Sequence, residues 1–112
     1  MAAAWYFYDS FTKTLVNGTH DLDTATIKVM IVTSSYTPDN THENISEVDP
    51  NEVASVGYTT GGETLSGVTL TTDNATHKTK FDASDISLSG VTFTNARYAV
   101  LYKSSGGDLI GY

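Results

Sequence analysis

The chain has no cysteine. Disulfides and thiolate metal sites are therefore excluded, and the redox compartment leaves no trace in the sequence. Basic residues are scarce: 6 Lys and Arg stand against 13 Asp and Glu, for a net charge of −7. Such a chain repels a phosphate backbone, so nucleic acid is not an expected partner. No apolar run approaches the ~20 residues of a membrane-spanning helix, so no membrane partner is expected either. The opening residues 1–8 place no basic stretch ahead of a long apolar one, which predicts no secretory leader. Catalytic signatures are missing too. No serine sits in a G-x-S-x-G elbow, no thiol can act as nucleophile, and Gly61-Gly62 is too short for a phosphate loop. His20, His42 and His77 are isolated, without the spacing that turns two imidazoles toward one metal. Asp21-x-Asp23 and Asp82-x-x-Asp85 lack the glycine and distal glutamate of a calcium loop and read as turn formers. The expectation is a protein that is not an enzyme and that uses no cofactor and no metal.

What the chain does contain is strand material. Threonine is the commonest residue, at 18 of 112, and seven Tyr and four Phe add to the bias. Branched and aromatic side chains suit a pleated, half-buried surface. Asn17-Gly18, Gly61-Gly62, Asp73-Asn74, Ser89-Gly90 and Gly106-Gly107 punctuate the runs where the chain can reverse. The length fits one domain over residues 1–112. Apolar residues make up 39%, low for a self-sufficient globule, which points to partner subunits supplying part of the stability.

The patterning predicts antiparallel strands near 26–33, 67–73, 77–82 and 95–103, the middle two as a hairpin. Alternation at Ile86, Leu88, Val91 and Phe93 predicts further strand. The expected core is Ile27, Val29, Ile31, Leu70, Phe81, Leu88, Phe93, Tyr98, Val100 and Leu101. Residues 1–16 form an N-terminal arm or a first strand; Phe7, Phe11 and Leu15, four apart, fit a helical turn equally well. Residues 34–57 form a long excursion, with a short helix expected near Pro50 capped by Asp49. It carries five acids between 39 and 52: Asp39, Glu43, Glu47, Asp49 and Glu52. The closing Leu109-Ile110-Gly111-Tyr112 opens one more strand, whose edge ends abruptly or pairs with a neighbour. The fold class is all-β: an antiparallel β-sandwich, with barrel-like closure left open, an N-terminal arm and one long acidic loop.

The candidate functional residues are surface residues. Trp5, Tyr6, Phe7, Tyr8 and Phe11 form an aromatic arm suited to packing on a partner, since aromatics are enriched in interface cores. The same rings would also suit stacking on sugars. Arg97 stands inside an apolar strand, where a guanidinium needs a carboxylate or carbonyl, within the fold or across a subunit interface. The acidic loop either lies against a basic surface or faces solvent, where its charge aids solubility.

Several segments carry a resemblance. They are Ala25 through Pro38 (ATIKVMIVTSSYTP), Asn51-Glu52-Val53, and Gly57 through Leu65 (GYTTGGETL). Phe81-Asp82-Ala83-Ser84-Asp85, Ala96 through Tyr102 (ARYAVLY) and the closing Leu109-Ile110-Gly111-Tyr112 complete the set. In this order they cover about half the chain, and they resemble a family of small virion structural proteins of tailed bacteriophages. The resemblance implies a head-decoration, or cement, protein on the outer capsid surface, made in the host cytoplasm and stabilising the head by bridging capsomers. The implied partner is the major capsid protein, and the implied assembly is a homo-oligomer, a trimer by analogy with other decoration proteins. Relatives of this kind continue past the Leu-Ile-Gly-Tyr stretch with further strands, and they bring no catalytic residues to carry over. Two other readings stay open: a tail or baseplate component, and a carbohydrate-binding module.

Overall fold

Two antiparallel ladders organise the chain, and both follow from the alternation of branched and polar residues. The computed structural model describes residues 4–112. The larger sheet has the order β2 (Glu63–Thr64), β1 (Ile27–Thr33), β5 (Ala96–Lys103), β6 (Leu109–Gly111). β1 and β5 form its spine, with Met30 opposite Val100 and Val29 opposite Leu101. β3 (Thr69–Asp73) and β4 (Lys78–Asp82) form a separate hairpin in which Leu70 faces Phe81. Its turn is held by the Asp73 carboxylate, which accepts the Ala75 and Thr76 amides at 2.9 and 3.3 Å. The four expected strands are thus all present. One short α-helix, α1 (Ser10–Val16), precedes them. The structure is mostly β with antiparallel sheets, and among the described residues no sheet closes into a barrel.

The spine is apolar on both faces, as its sequence requires, but the two faces are covered unequally. One face turns Met30, Val32, Val100 and Tyr102 inward, and here the core is dry: Val32 and Val100 have no exposed surface. Its cover is the acidic excursion. Tyr36 and Val48 from that segment pack into the same cluster as Tyr8 and Leu109. The excursion is built rather than loose. Asn44 caps the 3₁₀ turn Ile45–Glu47 by accepting the Ser46 amide at 3.1 Å, and the Glu47 carboxylate returns to the Asn44 amide at 3.0 Å. A second 3₁₀ turn spans Asp49–Asn51, with Pro50 inside it as expected, but Asp49 does not cap it; the residue before it is Val48. The Val53 amide then bonds the Ile31 carbonyl at 3.0 Å, so the excursion ends as an extra edge beside β1.

The opposite face holds Ile27, Phe11 and Ile110 as a smaller cluster, with Leu101, Leu22 and Leu65 half-buried against it. Val29 and Ile31 are only half-covered, and Leu70 is 47% exposed. The expected core was therefore placed partly on the wrong face: the residues buried most deeply include Val32, Leu109 and Tyr8. The cause is the asymmetry of cover, which alternation cannot register when both faces of a strand are apolar. Residues 86–93 likewise correct an expectation. They keep the alternation, with Leu88, Val91 and Phe93 turned half inward, but form no strand. Among the described residues no ladder pairs with this segment.

At the far edge β5 and β6 slip register between Leu101 and Tyr102, a bulge that turns Gly111 to the face of Leu101. The glycine is required. A Cβ there would lie 2.3 Å from the Trp5 indole, which lies across it.

Candidate functional site

The N-terminal residues carry the site, and they are placed by pairing rather than left as a free arm. The Tyr6 amide donates to the Tyr112 carbonyl at 2.8 Å, and the Tyr112 amide returns to Tyr6 at 2.9 Å. The Tyr8 amide donates to the Ile110 carbonyl at 3.2 Å. Residues 5–8 therefore add one more extended segment beside β6, and then α1 begins. Of the readings open for residues 1–16, the strand holds for 5–8 and the helix for 10–16; residues 1–3 lie outside the described residues. The edge of β6 is thus paired by the chain itself and not left for a neighbour.

Extended backbone sends alternate side chains to opposite faces, and this divides the aromatic candidates. Tyr8 turns into the main core and is 1% exposed. Its hydroxyl bonds that of Tyr36 at 2.8 Å, which in turn meets His42 Nδ1 at 3.1 Å. Burial and this hydrogen bond push the Tyr8 phenol far above its ordinary range. Tyr8 is thus a core residue. Phe11 is buried as well, at 8% exposure, and one side of it lines an apolar groove. Tyr6 stays on the same side as Tyr8 and leans on Tyr112, with ring centroids 5.5 Å apart.

Trp5 and Phe7 turn to the less covered face. Phe7 stacks on Phe11 at 5.3 Å and meets Trp5 edge to face at 5.7 Å. They form one wall of an apolar groove of about 860 Å³. Leu15 of α1, Leu70 and Phe81 of the hairpin, and Leu101 of β5 are among the other residues that line it. Trp5, Phe7, Leu15 and Leu70 are each more than two-fifths exposed. Four of the chain's large exposed apolar side chains therefore gather round one concavity, which is the kind of patch that marks an interaction surface. Because Trp5 and Phe7 stand at 89° to each other, they do not make the flat platform that sugar stacking uses.

Three polar side chains line the groove: Thr79, Asp21 and His20. Asp21 is the one charged side chain that lines it. Its carboxyl is held below the ordinary range by hydrogen bonds from Asp23 and Thr24, while Asp23 is raised by that same bond and by repulsion from Asp21. His20 also lines the groove. It is 3% exposed, packs on Phe11 at 5.4 Å, and neither ring nitrogen has a hydrogen-bond partner among the described residues. Burial pushes its pKa down, so the imidazole is neutral. No sequence signal pointed to His20; an isolated histidine in a loop reads as a surface residue.

Comparison with protein-family models, with curated proteins and with solved structures finds no match.

Arg97 lies at the start of β5 and is exposed. Its guanidinium Nε donates to the Tyr98 hydroxyl at 3.1 Å and sits 5.6 Å from that ring's centre. Among the described residues it has no carboxylate partner; Lys80 with Asp82, at 3.3 Å, is the ion pair found there. The acids of the excursion are mostly engaged by backbone. Asp39 accepts the Thr41 amide at 2.9 Å, Glu47 closes its cap, and Glu52 accepts the Gly61 amide at 3.0 Å. Among the described residues, no group of three or more His, Asp and Glu converges as a metal site, and no helix is long and apolar enough to cross a membrane.

Proposed function

We infer that the chain is a structural protein of a tailed-bacteriophage virion, acting as a head-decoration protein that binds the assembled shell and bridges capsomers. The two ladders are read as the layers of an antiparallel β-sandwich, a rigid body suited to repeated attachment. Each contact can be weak, because repetition over a closed lattice supplies avidity. The partner is the major capsid protein, the site is the outer capsid surface, and the chain works as a homo-oligomer, a trimer by analogy. The family resemblance supports this reading.

The observation that carries it is the apolar groove, set in a chain with an excess of exposed surface. The chain exposes 6983 Å², against roughly 6,000 Å² for a monomer of this mass. The difference, about 1,000 Å², is close to one side of a standard interface, ~800 Å². The apolar groove lies within that surface. The experiment is decoration of shells. Purified chain is added to undecorated, expanded heads, and the particles are imaged. The expected result is saturable density at symmetric positions between capsomers. Bare heads at saturating protein, with density confined to tails, move the chain to the tail or baseplate.

A further inference from the structure

The groove and the sheet edge beside it form one continuous surface. In the pairing of residues 5–8 with β6, the amides of Tyr6 and Tyr8 point inward. The backbone groups of Phe7 alternate with them and point outward. Among the described residues no backbone hydrogen bond uses the Phe7 amide or carbonyl. An unpaired edge is a template for another strand. Here it runs along the wall of an apolar groove, so a strand added to it would place alternate side chains over Trp5, Phe7 and Leu70.

We propose that this edge and groove receive an extended apolar segment of the capsid protein that carries a basic residue, adding as a strand outside Phe7. Three observations set the chemistry of the occupant. The walls are apolar and half-exposed, which calls for branched or aromatic side chains at alternate positions. The one charge lining the groove is Asp21, and no cation lines the groove to balance it. An arginine or lysine in the segment supplies that balance. Finally, the excess surface of about 1,000 Å² is what one partner's side of an interface needs. The buried, unpartnered His20 beside the groove marks this wall as less completed than the opposite face.

The proposal rests on the decoration reading for the identity of the partner, and the test separates the two. The full chain is offered to overlapping twelve-residue peptides tiling every virion protein of the same phage. Binding is expected to an extended, apolar, basic segment of the capsid protein. Leu70→Glu and Asp21→Lys should each weaken it at least tenfold, and Val56→Glu, which is 89% exposed and away from the groove, should not. Exchange of the Phe7 amide should slow at least tenfold in the complex. Binding with these same effects to a tail-protein peptide upholds the groove as a strand receptor and overturns the decoration reading. Attachment to heads that is unchanged by Leu70→Glu and Asp21→Lys, with no protection at Phe7, overturns the groove while decoration stands. Uptake of a small apolar dye with no peptide bound overturns it as well.

Discussion

His20 shows how a single side chain can set a pH limit. Its ring is 3% exposed and both nitrogens are unbonded among the described residues. Desolvation lowers its pKa, Lys103 adds to this, and Asp108 and the Leu109 backbone oppose it. The unfolded chain takes up a proton near pH 6.5 and the folded chain does not. Stability therefore falls as pH drops below that value, and stops falling only once the folded imidazole also protonates. His20→Leu should flatten the dependence between pH 7 and 5 and leave stability unchanged or raised by up to about 1 kcal/mol, because an unpaired polar group is replaced by an apolar one. Urea midpoints at the two pH values check this; a wild-type slope retained in the variant would show that another group sets it. Asn44 is the complementary case, a polar residue whose side-chain oxygen and nitrogen are both bonded. It caps Ile45–Glu47 and its side-chain amide donates to the Gly106 carbonyl at 2.8 Å. Asn44→Ala should destabilise by about 1 kcal/mol, read as a lowered urea midpoint with an unchanged slope.

At the scale of the elements, cover decides what each strand contributes. β1 and β5 carry apolar residues on both faces, but only the face under the acidic excursion is sealed. Val100, with no exposed surface, packs there against Met30, opposite it in the ladder. Val100→Ala should cost on the order of 1–3 kcal/mol. Leu70 carries the same kind of alternation signal in β3, yet is 47% exposed. Leu70→Ala should stay within about 0.5 kcal/mol of the parent. Chemical denaturation of both variants checks the contrast, and equal losses would mean that the hairpin packs more closely than its exposure indicates. The strands themselves were legible because alternation and turn residues are local signals. The alternation at residues 86–93 does not make a strand, because alternation reports which side chains turn inward and does not report whether a backbone partner lies alongside.

At the scale of the molecule, the N-terminal residues close the structure. Tyr8 fills the main core and residues 5–8 pair with β6, so they are part of the folded body. Deleting residues 1–11 to test attachment therefore does more than remove an anchor. It uncovers Leu109 and Val100 and removes Phe11 from the second cluster. The expected outcome is a lowered thermal midpoint and exposed apolar surface, measurable by dye binding. A truncated chain with the parent's midpoint would show that the pairing adds nothing. The acidic excursion behaves in the same integrated way. Asp39 accepts the Thr41 hydroxyl and amide, Glu47 accepts the Asn44 and Glu43 amides, and those bonds lower both pKa values. Neutralising them with Glu43 disturbs the fold as well as the charge. A salt titration of attachment is thus the cleaner probe of docking on a basic surface.

The sequence by itself determined the strands, the hairpin, the main turns and the all-β class, because these depend on residue type and on spacing two or four along the chain. It also determined that disulfides and thiolate metal sites are out of reach, because there is no cysteine. Only the tertiary structure decided which face of the spine is sealed, that the N-terminal residues pair with β6, and that Trp5 and Phe7 share a groove with Leu70 from the hairpin. Those facts join residues more than sixty positions apart. They depend on the bulge at β6, on Gly111 leaving room for the indole, and on a cover built from a segment whose composition reads as solvent-exposed. Arg97 stood out by its place in an apolar strand and Tyr8 and Phe11 by theirs in an aromatic run, and the fold places one on the surface and two inside for the same reason: burial is set by what packs above a residue, which no local pattern records.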